Sequence, residues 1–302
     1  LPQAPQLVAS TAIGIPRYFG DVDVLDLVGL TDTTIARHPV RHADIRDDHI
    51  LRNYHVDYVL HRAPEHIFFI AGARPATPAE RALYLSPRFR RNYVLQYPRD
   101  DRPVHALRGG RPTAFEPLAT DGRFSELFSD GLGSLKTNPA AARTLLLDAV
   151  RLAPADFEDP HYWLGWLAAS QGDEAEARQR FLQVIDLEPE HAMAYTQLAT
   201  LDLKAGRLAA AIRHGRRARS LAPQSNAALH ILGRALLAAG DLDEAVLVLR
   251  QAAQRPGGGT VDAMLHLGIA EDRRGNASAA RAAWEAVLAV EPDNAQARTL
   301  LR

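Results

Sequence analysis

Two carboxylates near the start of the chain are the first residues whose types and spacing could support chemistry. Asp26 lies at the end of the apolar run VDVLD, and Asp32 follows it across Gly29. The run is typical of a buried strand, and ligand sites of open α/β sheets lie beyond the carboxyl ends of strands. Two carboxylates there could bind a cation or a sugar hydroxyl. The structural alternative, which we favour, is that Asp32 caps the next helix and Asp26 pairs with an arginine such as Arg17.

Histidine is concentrated in the same part of the chain. Six of the twelve histidines fall between His38 and His66. A zinc site needs a close histidine pair on one helix face together with a carboxylate. His38 and His42 have that spacing, but Pro39 between them indicates a helix end. We therefore predict no metal site and no cofactor.

Composition excludes several classes of protein. The 302 residues are enough for about two domains, and 47% of them are hydrophobic. A formal net charge of −1 provides no overall field toward nucleic acid or an anionic membrane. The absence of cysteine excludes disulfides, thiolate nucleophiles and cysteine-ligated metals. No apolar run reaches the roughly 18–20 residues of a membrane-spanning helix, so we predict no transmembrane segment and no nucleic-acid partner.

Glycines recur at a fixed period in the second half of the chain. They are Gly172, Gly206, Gly240 and Gly275. The intervals are 34, 34 and 35 residues, and an alanine follows each glycine by five positions. This pattern resembles the tetratricopeptide repeat, a pair of antiparallel helices A and B. The resemblance implies an all-α solenoid in which each repeat packs against the next.

The repeat pattern sets the predicted domain organisation. A repeat domain is predicted over 158–302, with a short capping helix, AQARTLLR, at its end. The four predicted repeats are 158–191, 192–225, 226–260 and 261–294. A linker and a degenerate helical hairpin are predicted over 119–157, with a poor first helix because 124–136 contains two glycines.

The resemblance to tetratricopeptide repeats also implies a binding groove. Fixed positions of helix A face this groove in such repeats. In this chain they select Tyr162, Trp166, Thr196, Thr200, Lys204, His230, Arg234, Ile269 and Arg273. Aromatic side chains beside cations can hold an extended peptide by packing, cation–π contact and charge. The alternative is that the aromatic residues pack inside the protein. The groove lacks the asparagines of the clamp that binds chaperone tails, which disfavours such a partner.

The first third of the chain has a different pattern. Short β-rich runs such as 7–11 and 22–30 alternate with helical segments, among them 32–38 and 47–62. Such alternation is typical of a parallel or mixed sheet with helical cover. We therefore predict a small α/β domain over 1–118, followed by the all-α solenoid.

A second resemblance arises from three segments of this domain. They are AIGIPRYFGDVDVLDLVGLTDTTIARHP, DDHILRNYHVDYVLHRAPEHIFFIAG and SPRFRRNYVLQY. Together they resemble the extracytoplasmic C-terminal region of bacterial membrane glycosyltransferases that use polyprenyl-phosphate sugars, the mannosyl- and arabinofuranosyltransferase-like proteins. In that family the catalytic acid lies on a loop between membrane helices, to which nothing here corresponds. The resemblance implies a soluble, extracytoplasmic tail that is not catalytic by itself, in the periplasm or at the cell surface; composition alone leaves the cytoplasm open.

These observations predict a non-catalytic protein–protein interaction module. Its partner would be a protein or peptide in the groove, and the front domain could contact a membrane glycosyltransferase core or a glycoconjugate during envelope glycan or surface-protein assembly. One alternative is the soluble accessory domain of an intact membrane glycosyltransferase that presents the acceptor protein. Another is an independent hydrolase or sugar-binding enzyme that uses Asp26 and Asp32.

Overall fold

The computed structural model divides the chain into two compact units. The first consists of Leu1–Gln96 and Pro103–Leu187, and the second of Tyr97–Arg102 and Glu188–Arg302. The structure describes residues 6–10, 22–27, 32–40, 42–43, 45, 53–99, 102–107, 121–155, 157–254 and 260–302.

Five strands form one mixed sheet. They are β1 (Gln6–Ser10), β2 (Val22–Asp26), β3 (His66–Phe68), β4 (Tyr93–Arg99) and β5 (Arg102–Leu107). The strand order is β2-β1-β3-β5-β4. β1 is parallel to both β2 and β3, with Val8 opposite Val24 and His66, whereas β3 and β5 are antiparallel. The predicted parallel or mixed sheet is therefore confirmed.

Among the described residues, four short helices accompany the sheet. They are α1 (Thr33–Arg37), α2 (Val56–Arg62), α3 (Pro78–Leu85) and α4 (Pro87–Asn92). The helix predicted over 47–62 is shorter at its start where the structure describes it, because His55 caps α2 by accepting the Tyr58 N–H at 3.2 Å. Between α3 and α4, Pro87 breaks the helix, since the proline ring restricts Ser86 to the extended backbone it adopts.

The helical hairpin that follows shares one hydrophobic core with the sheet and its helices. It consists of α5 (Phe124–Ser134) and α6 (Pro139–Leu152). Phe124 and Phe128 of α5 are fully buried, and the ring of Tyr84 on α3 lies 5.4 Å from that of Phe128. Gly131 explains why a helix with two glycines forms here: a Cβ at this position would lie 2.9 Å from Cγ of Leu146 on α6. The glycine allows a close approach that a side chain would prevent.

The predicted repeats follow as helix pairs. In the first unit the pair is α7 (Asp159–Ser170) and α8 (Glu174–Leu187). The second unit contains α9 (Ala192–Lys204), α10 (Leu208–Leu221), α11 (Asn226–Ala239), α12 (Leu242–Ala253), α13 (Thr260–Arg273), α14 (Ala277–Val290) and α15 (Ala295–Leu300). At each A-to-B turn a glycine has a φ between +71° and +85°, a backbone conformation that favours glycine. The predicted all-α solenoid is therefore confirmed, and the short helix α15 follows its last helix pair.

Candidate functional site: the A-helix face of the repeats

Asp32 has the structural role that we favoured. Its Oδ1 accepts the backbone N–H groups of Thr34 and Ile35 at 2.9 and 3.1 Å, which caps α1. Its Oδ2 accepts the Tyr58 hydroxyl at 3.2 Å. Asp26 is only 5% exposed at the end of β2, so the structure does not show the two carboxylates lining an open cleft. Arg17, the partner suggested for Asp26, lies outside the described residues.

Those early histidines that the structure describes show no metal-binding arrangement, and His49 lies outside the described residues. His38 ends α1, and the His42 backbone N–H donates to the Tyr54 hydroxyl at 2.7 Å. Within the described ranges, no three histidine or acidic side chains are grouped so that they could hold a metal ion.

The two predicted groove aromatics of the first unit differ in exposure. Tyr162 on α7 is 5% exposed, and its ring lies 5.7 Å from Phe181 on α8. It therefore packs in the interior, the alternative left open by the sequence. Trp166 is half-buried, and its ring lies 6.1 Å from that of Trp163 in a T-shaped arrangement. Of these two aromatics, Trp166 presents more surface to a partner.

In the second unit, the A helices are α9, α11 and α13, and α11 contacts both of the others. We call the surface formed by the predicted residues of these helices, with His266 added, the A-helix face. It comprises Thr196, Thr200, Lys204, His230, Arg234, His266, Ile269 and Arg273. Thr196 and Thr200 donate their hydroxyls to carbonyl oxygens one turn earlier in α9, at 3.0 and 2.9 Å. Lys204 is exposed at the end of this helix.

A histidine pair lies in the A-helix face. Nε2 of His230 and Nδ1 of His266 are 3.2 Å apart, and the same Nδ1 lies 2.7 Å from the Asp262 carbonyl oxygen. Because a carbonyl oxygen only accepts, Nδ1 of a neutral His266 must carry the proton. Nε2 of His230 is then an acceptor, and His230 carries its own proton on Nδ1.

Both imidazoles are neutral at pH 7. Burial, followed by the neighbouring His266 and Arg234, lowers the pKa of His230 to about 3. Burial also lowers the pKa of His266, against the opposing effects of the Asp262 carbonyl and carboxylate. The helix positions used for the sequence prediction missed His266, because it lies one residue beyond the place equivalent to His230. The preceding repeat gives no direct signal for it, because the residue at the place that matches His266 is Ile231.

The buried acids of the A helices pair with cations elsewhere in the repeats. Asp202 on α9 is fully buried and accepts from Arg207 Nε at 2.9 Å and from His214 Nδ1 at 2.8 Å. Glu271 on α13 is 1% exposed and pairs with Arg250 Nη2 at 2.6 Å. These carboxylates are therefore already neutralised away from the A-helix face.

Among the residues that the structure describes, Arg234 has no such partner. Its side chain is half-buried on α11, and no carboxylate of the described residues forms an ion pair with it. Arg273 of α13 donates from Nη1 to the Leu237 carbonyl oxygen at 3.4 Å, one helical turn beyond Arg234. Asp262 contributes an exposed carboxylate near the histidine pair. The A-helix face thus carries Arg234 beside the histidine pair and Arg273 at the Leu237 carbonyl oxygen.

The first unit also contains a cleft that sequence reasoning missed. Its volume is about 650 Å³, and Ala43 and Ile45 lie opposite residues of α5 and α6. Its charged residues pair with neighbours: Arg151 with Asp148 at 2.7 Å, and Glu126 with Arg81 at 2.9 Å. These pairs leave little unmatched charge to attract an ionic ligand.

In the part of the chain that the structure describes, no helix combines the length and the apolar character needed to cross a bilayer.

Comparison with known proteins identifies the two parts of the chain separately. A tetratricopeptide repeat family model matches residues 162–226, 196–259 and 265–301. Residues 2–117 match a family described as Domain of unknown function (DUF8728). The comparisons thus give no support to the glycosyltransferase resemblance of this region. No curated protein matches the chain.

Several solved structures share the repeat fold. A MamA fragment, residues 41 to the end, from Desulfovibrio magneticus RS-1 is 21% identical, with a TM-score of 0.50 over 57% of this chain and 97% of that one. PilF of Pseudomonas aeruginosa is 15% identical, with a TM-score of 0.52 over 58% and 80% of the two chains. A chain of the APC/C hetero-tetramer Cut9-Hcn1 is 18% identical, with a TM-score of 0.53 over 59% of this chain and 35% of that one. These likenesses and the family match confirm the predicted tetratricopeptide repeats, whose fold is that of a protein–protein interaction scaffold.

Proposed function

We propose that this chain is a non-catalytic scaffold that binds a protein or peptide on the A-helix face of its second unit. The observation that carries the proposal is the half-buried Arg234 in the middle of that face, for which the described residues provide no ion-pair partner. A guanidinium that is partly desolvated and lacks an ion-pair partner is a natural anchor for another macromolecule, because a partner's acceptors can satisfy its five donors.

A capture experiment with the full chain tests this proposal. The immobilised wild-type protein and the Arg234→Ala/Arg273→Ala variant are exposed to extract of the source cells, and bound proteins are quantified by mass spectrometry. The matched control is Arg213→Ala/Arg281→Ala, which removes two exposed arginines from the B helices α10 and α14.

We expect at least one protein to bind the wild type and the control but not the A-helix-face variant. If all three baits capture the same proteins in the same amounts, the A-helix face is not the binding surface. A melting curve for each bait separates loss of binding from loss of folding.

A location outside the cytoplasm and a role in envelope glycan or surface-protein assembly are narrower proposals. They rest on the sequence resemblance of the first third of the chain alone. The same holds for the alternative, in which the chain is the accessory domain of an intact membrane glycosyltransferase. The gene sequence upstream of Leu1 tests both: several apolar spans in the same reading frame would support the accessory domain, and a signal peptide alone would support the free scaffold. A start codon at Leu1, with neither feature, would contradict both the location outside the cytoplasm and the accessory-domain alternative.

A further inference from the structure

We propose that the contact between His230 and His266 is a proton-sensitive latch, which holds the A helices of the third and fourth repeats together at neutral pH and loosens them in mild acid. Because both residues belong to the A-helix face, the latch would regulate the proposed binding surface. That regulatory role rests on the proposed function, whereas the latch itself does not.

The latch joins two helices that are not consecutive in the chain. His230 lies on α11 and His266 on α13, with α12 between them in sequence. Nε2 of His230 lies 3.2 Å from Nδ1 of His266, and the ring centroids are 5.0 Å apart in a T-shaped arrangement. Both side chains are half-buried. Separation of α11 from α13 at this point therefore breaks a hydrogen bond that is partly shielded from water.

The contact depends on an unprotonated nitrogen. Nδ1 of His266 carries a proton because it donates to the Asp262 carbonyl oxygen at 2.7 Å, so Nε2 of His230 must be the acceptor. A first additional proton can bind Nε2 of His266 and leave the contact in place. A second must bind Nε2 of His230, which then sets two N–H groups against each other, since an imidazolium has no acceptor nitrogen. The doubly protonated pair therefore cannot keep the contact.

The closed latch resists protonation more than the open one. Burial, followed by the neighbouring His266 and Arg234, lowers the pKa of His230 to about 3. Once the contact opens and the ring meets water, the His230 side chain titrates near pH 6.5, as an exposed histidine does. At pH 5 the open form thus binds a proton that the closed form does not. For this residue alone, lowering the pH from 7.5 to 5 shifts the equilibrium toward the open form about thirtyfold.

Two charged side chains act on the pair from its own helices. Arg234 on α11 opposes protonation of both histidines, and Asp262 on α13 favours protonation of His266. Charged side chains of the helices packed against α11 and α13 pair with other residues: Asp202 of α9 with His214 of α10, Arg216 of α10 with Glu244 of α12, Arg250 of α12 with Glu271, Asp243 of α12 with Arg274, and Arg281 of α14 with Glu285.

Hydrogen exchange of the full-length chain, without any partner, tests the latch. Exchange rates of peptides from each helix at pH 7.5 and pH 5 are divided by the intrinsic rate at that pH, which leaves the local opening equilibrium. His230→Gln keeps an oxygen that can accept from His266 but does not titrate. The matched control is His61→Gln, which replaces an exposed histidine of α2.

We expect the opening equilibrium of α11 and α13 in the wild type to rise about tenfold or more between pH 7.5 and pH 5. His230→Gln should lower this rise about fivefold or more, because only His266 still titrates in the pair. His61→Gln should behave as the wild type. Melting curves at both pH values show whether each chain remains folded.

Nuclear magnetic resonance of the imidazole nitrogens of the wild type provides a test that needs no variant. At pH 7.5 it should show both histidines neutral, with the proton on Nδ1. A proton on Nε2 of neutral His230 would overturn the latch.

An unchanged opening equilibrium of α11 and α13 in the wild type would also overturn it. So would an equal rise in a folded His230→Gln variant, or an equal rise in every helix, which is general unfolding in acid. If the wild type shows the expected rise but capture does not depend on the A-helix face, the latch stands and only the scaffold proposal fails. If capture depends on that face and the rise is absent, the scaffold proposal stands without the latch.

Discussion

At the scale of single residues, burial decides the protonation of several histidines. His105 on β5 is 3% exposed, and its Nε2 lies 3.1 Å from the Tyr84 hydroxyl. Its ring centroid is 4.3 Å from that of Phe69. Burial among these aromatic rings lowers the pKa of His105 to about 3. In the folded state, His105 therefore stays neutral near pH 6.5, where an exposed histidine takes up a proton.

This depressed pKa predicts a loss of stability in mild acid. An unfolded histidine titrates near pH 6.5, so below that pH the unfolded state binds a proton that folded His105 does not. At pH 5 the difference amounts to about 2 kcal/mol of unfolding free energy from this residue alone. Urea denaturation from pH 7.5 to 5 should show a shallower pH dependence for His105→Gln than for the wild type. Parallel pH profiles would contradict this assignment.

A second residue-scale prediction concerns Gly268 on α13. A Cβ at this position would lie 2.1 Å from Nε1 of Trp284, which donates to the Leu265 carbonyl oxygen at 3.3 Å. Gly268→Ala must displace this indole and should cost about 1–3 kcal/mol by urea denaturation. The matched control is Gly133→Ala on α5, where the new methyl group would meet only the flexible end of Arg74. That change should be neutral or stabilise by up to about 1 kcal/mol. If both substitutions changed the free energy of unfolding equally, Gly268 would not be required for packing against Trp284.

At the scale of elements, substitutions of Asp32, the residue that caps α1, can distinguish a structural from a catalytic role. Asp32→Ala removes the acceptor for the Thr34 and Ile35 N–H groups and should destabilise the protein by about 0.5–2 kcal/mol. Asp32→Asn retains a capping oxygen and should cost much less. Thermal melts of the two variants provide the measurement. If both variants cost the same, the carboxylate charge matters more than the cap.

The helices show how far the sequence predicts individual elements. The glycine period predicted the repeat helices because each glycine occupies a left-handed turn that few other residues tolerate. The sequence predicted a poor helix at α5 because that segment contains two glycines. In the structure, Gly131 instead allows α5 to contact Leu146. Helix propensity describes an isolated helix, whereas this contact depends on a partner helix that the local sequence does not reveal.

The candidate site was predicted less completely than the fold. Repeat positions selected Arg234 and His230, since helical periodicity determines which face of a helix a residue occupies. They also selected Tyr162, which is buried against Phe181. Periodicity indicates which side of a helix a residue occupies, but not how deeply neighbouring helices bury its side chain. The missing ion pair of Arg234 could be recognised only once the positions of all nearby acids were known.

At the scale of the whole molecule, the first unit depends on residues beyond the predicted α/β domain. The rings of Phe128 and Phe157 lie 5.4 and 5.3 Å from that of Tyr84, and Phe124 belongs to the same hydrophobic core. A fragment of residues 1–118 lacks all three phenylalanines and exposes the side chains they cover. The predicted boundary at residue 118 therefore separates segments that share a core.

This arrangement predicts different behaviour for two fragments. The fragment 1–187 should unfold cooperatively, whereas 1–118 should not, because the loss of three buried phenylalanines removes several kcal/mol from a small core. Near-ultraviolet circular dichroism and urea denaturation of both fragments check this. A cooperative transition for 1–118 would show that the α/β domain folds by itself.

The claim that a partner binds the A-helix face is tested most directly by hydrogen exchange of the full-length chain, with and without a saturating amount of a protein recovered in the capture experiment. The account predicts that the bound protein slows exchange in α9, α11 and α13, with the largest effect around Arg234, while α10, α12 and α14 change little. Slower exchange confined to those B helices, or to the sheet and its helices in the first unit, would contradict it.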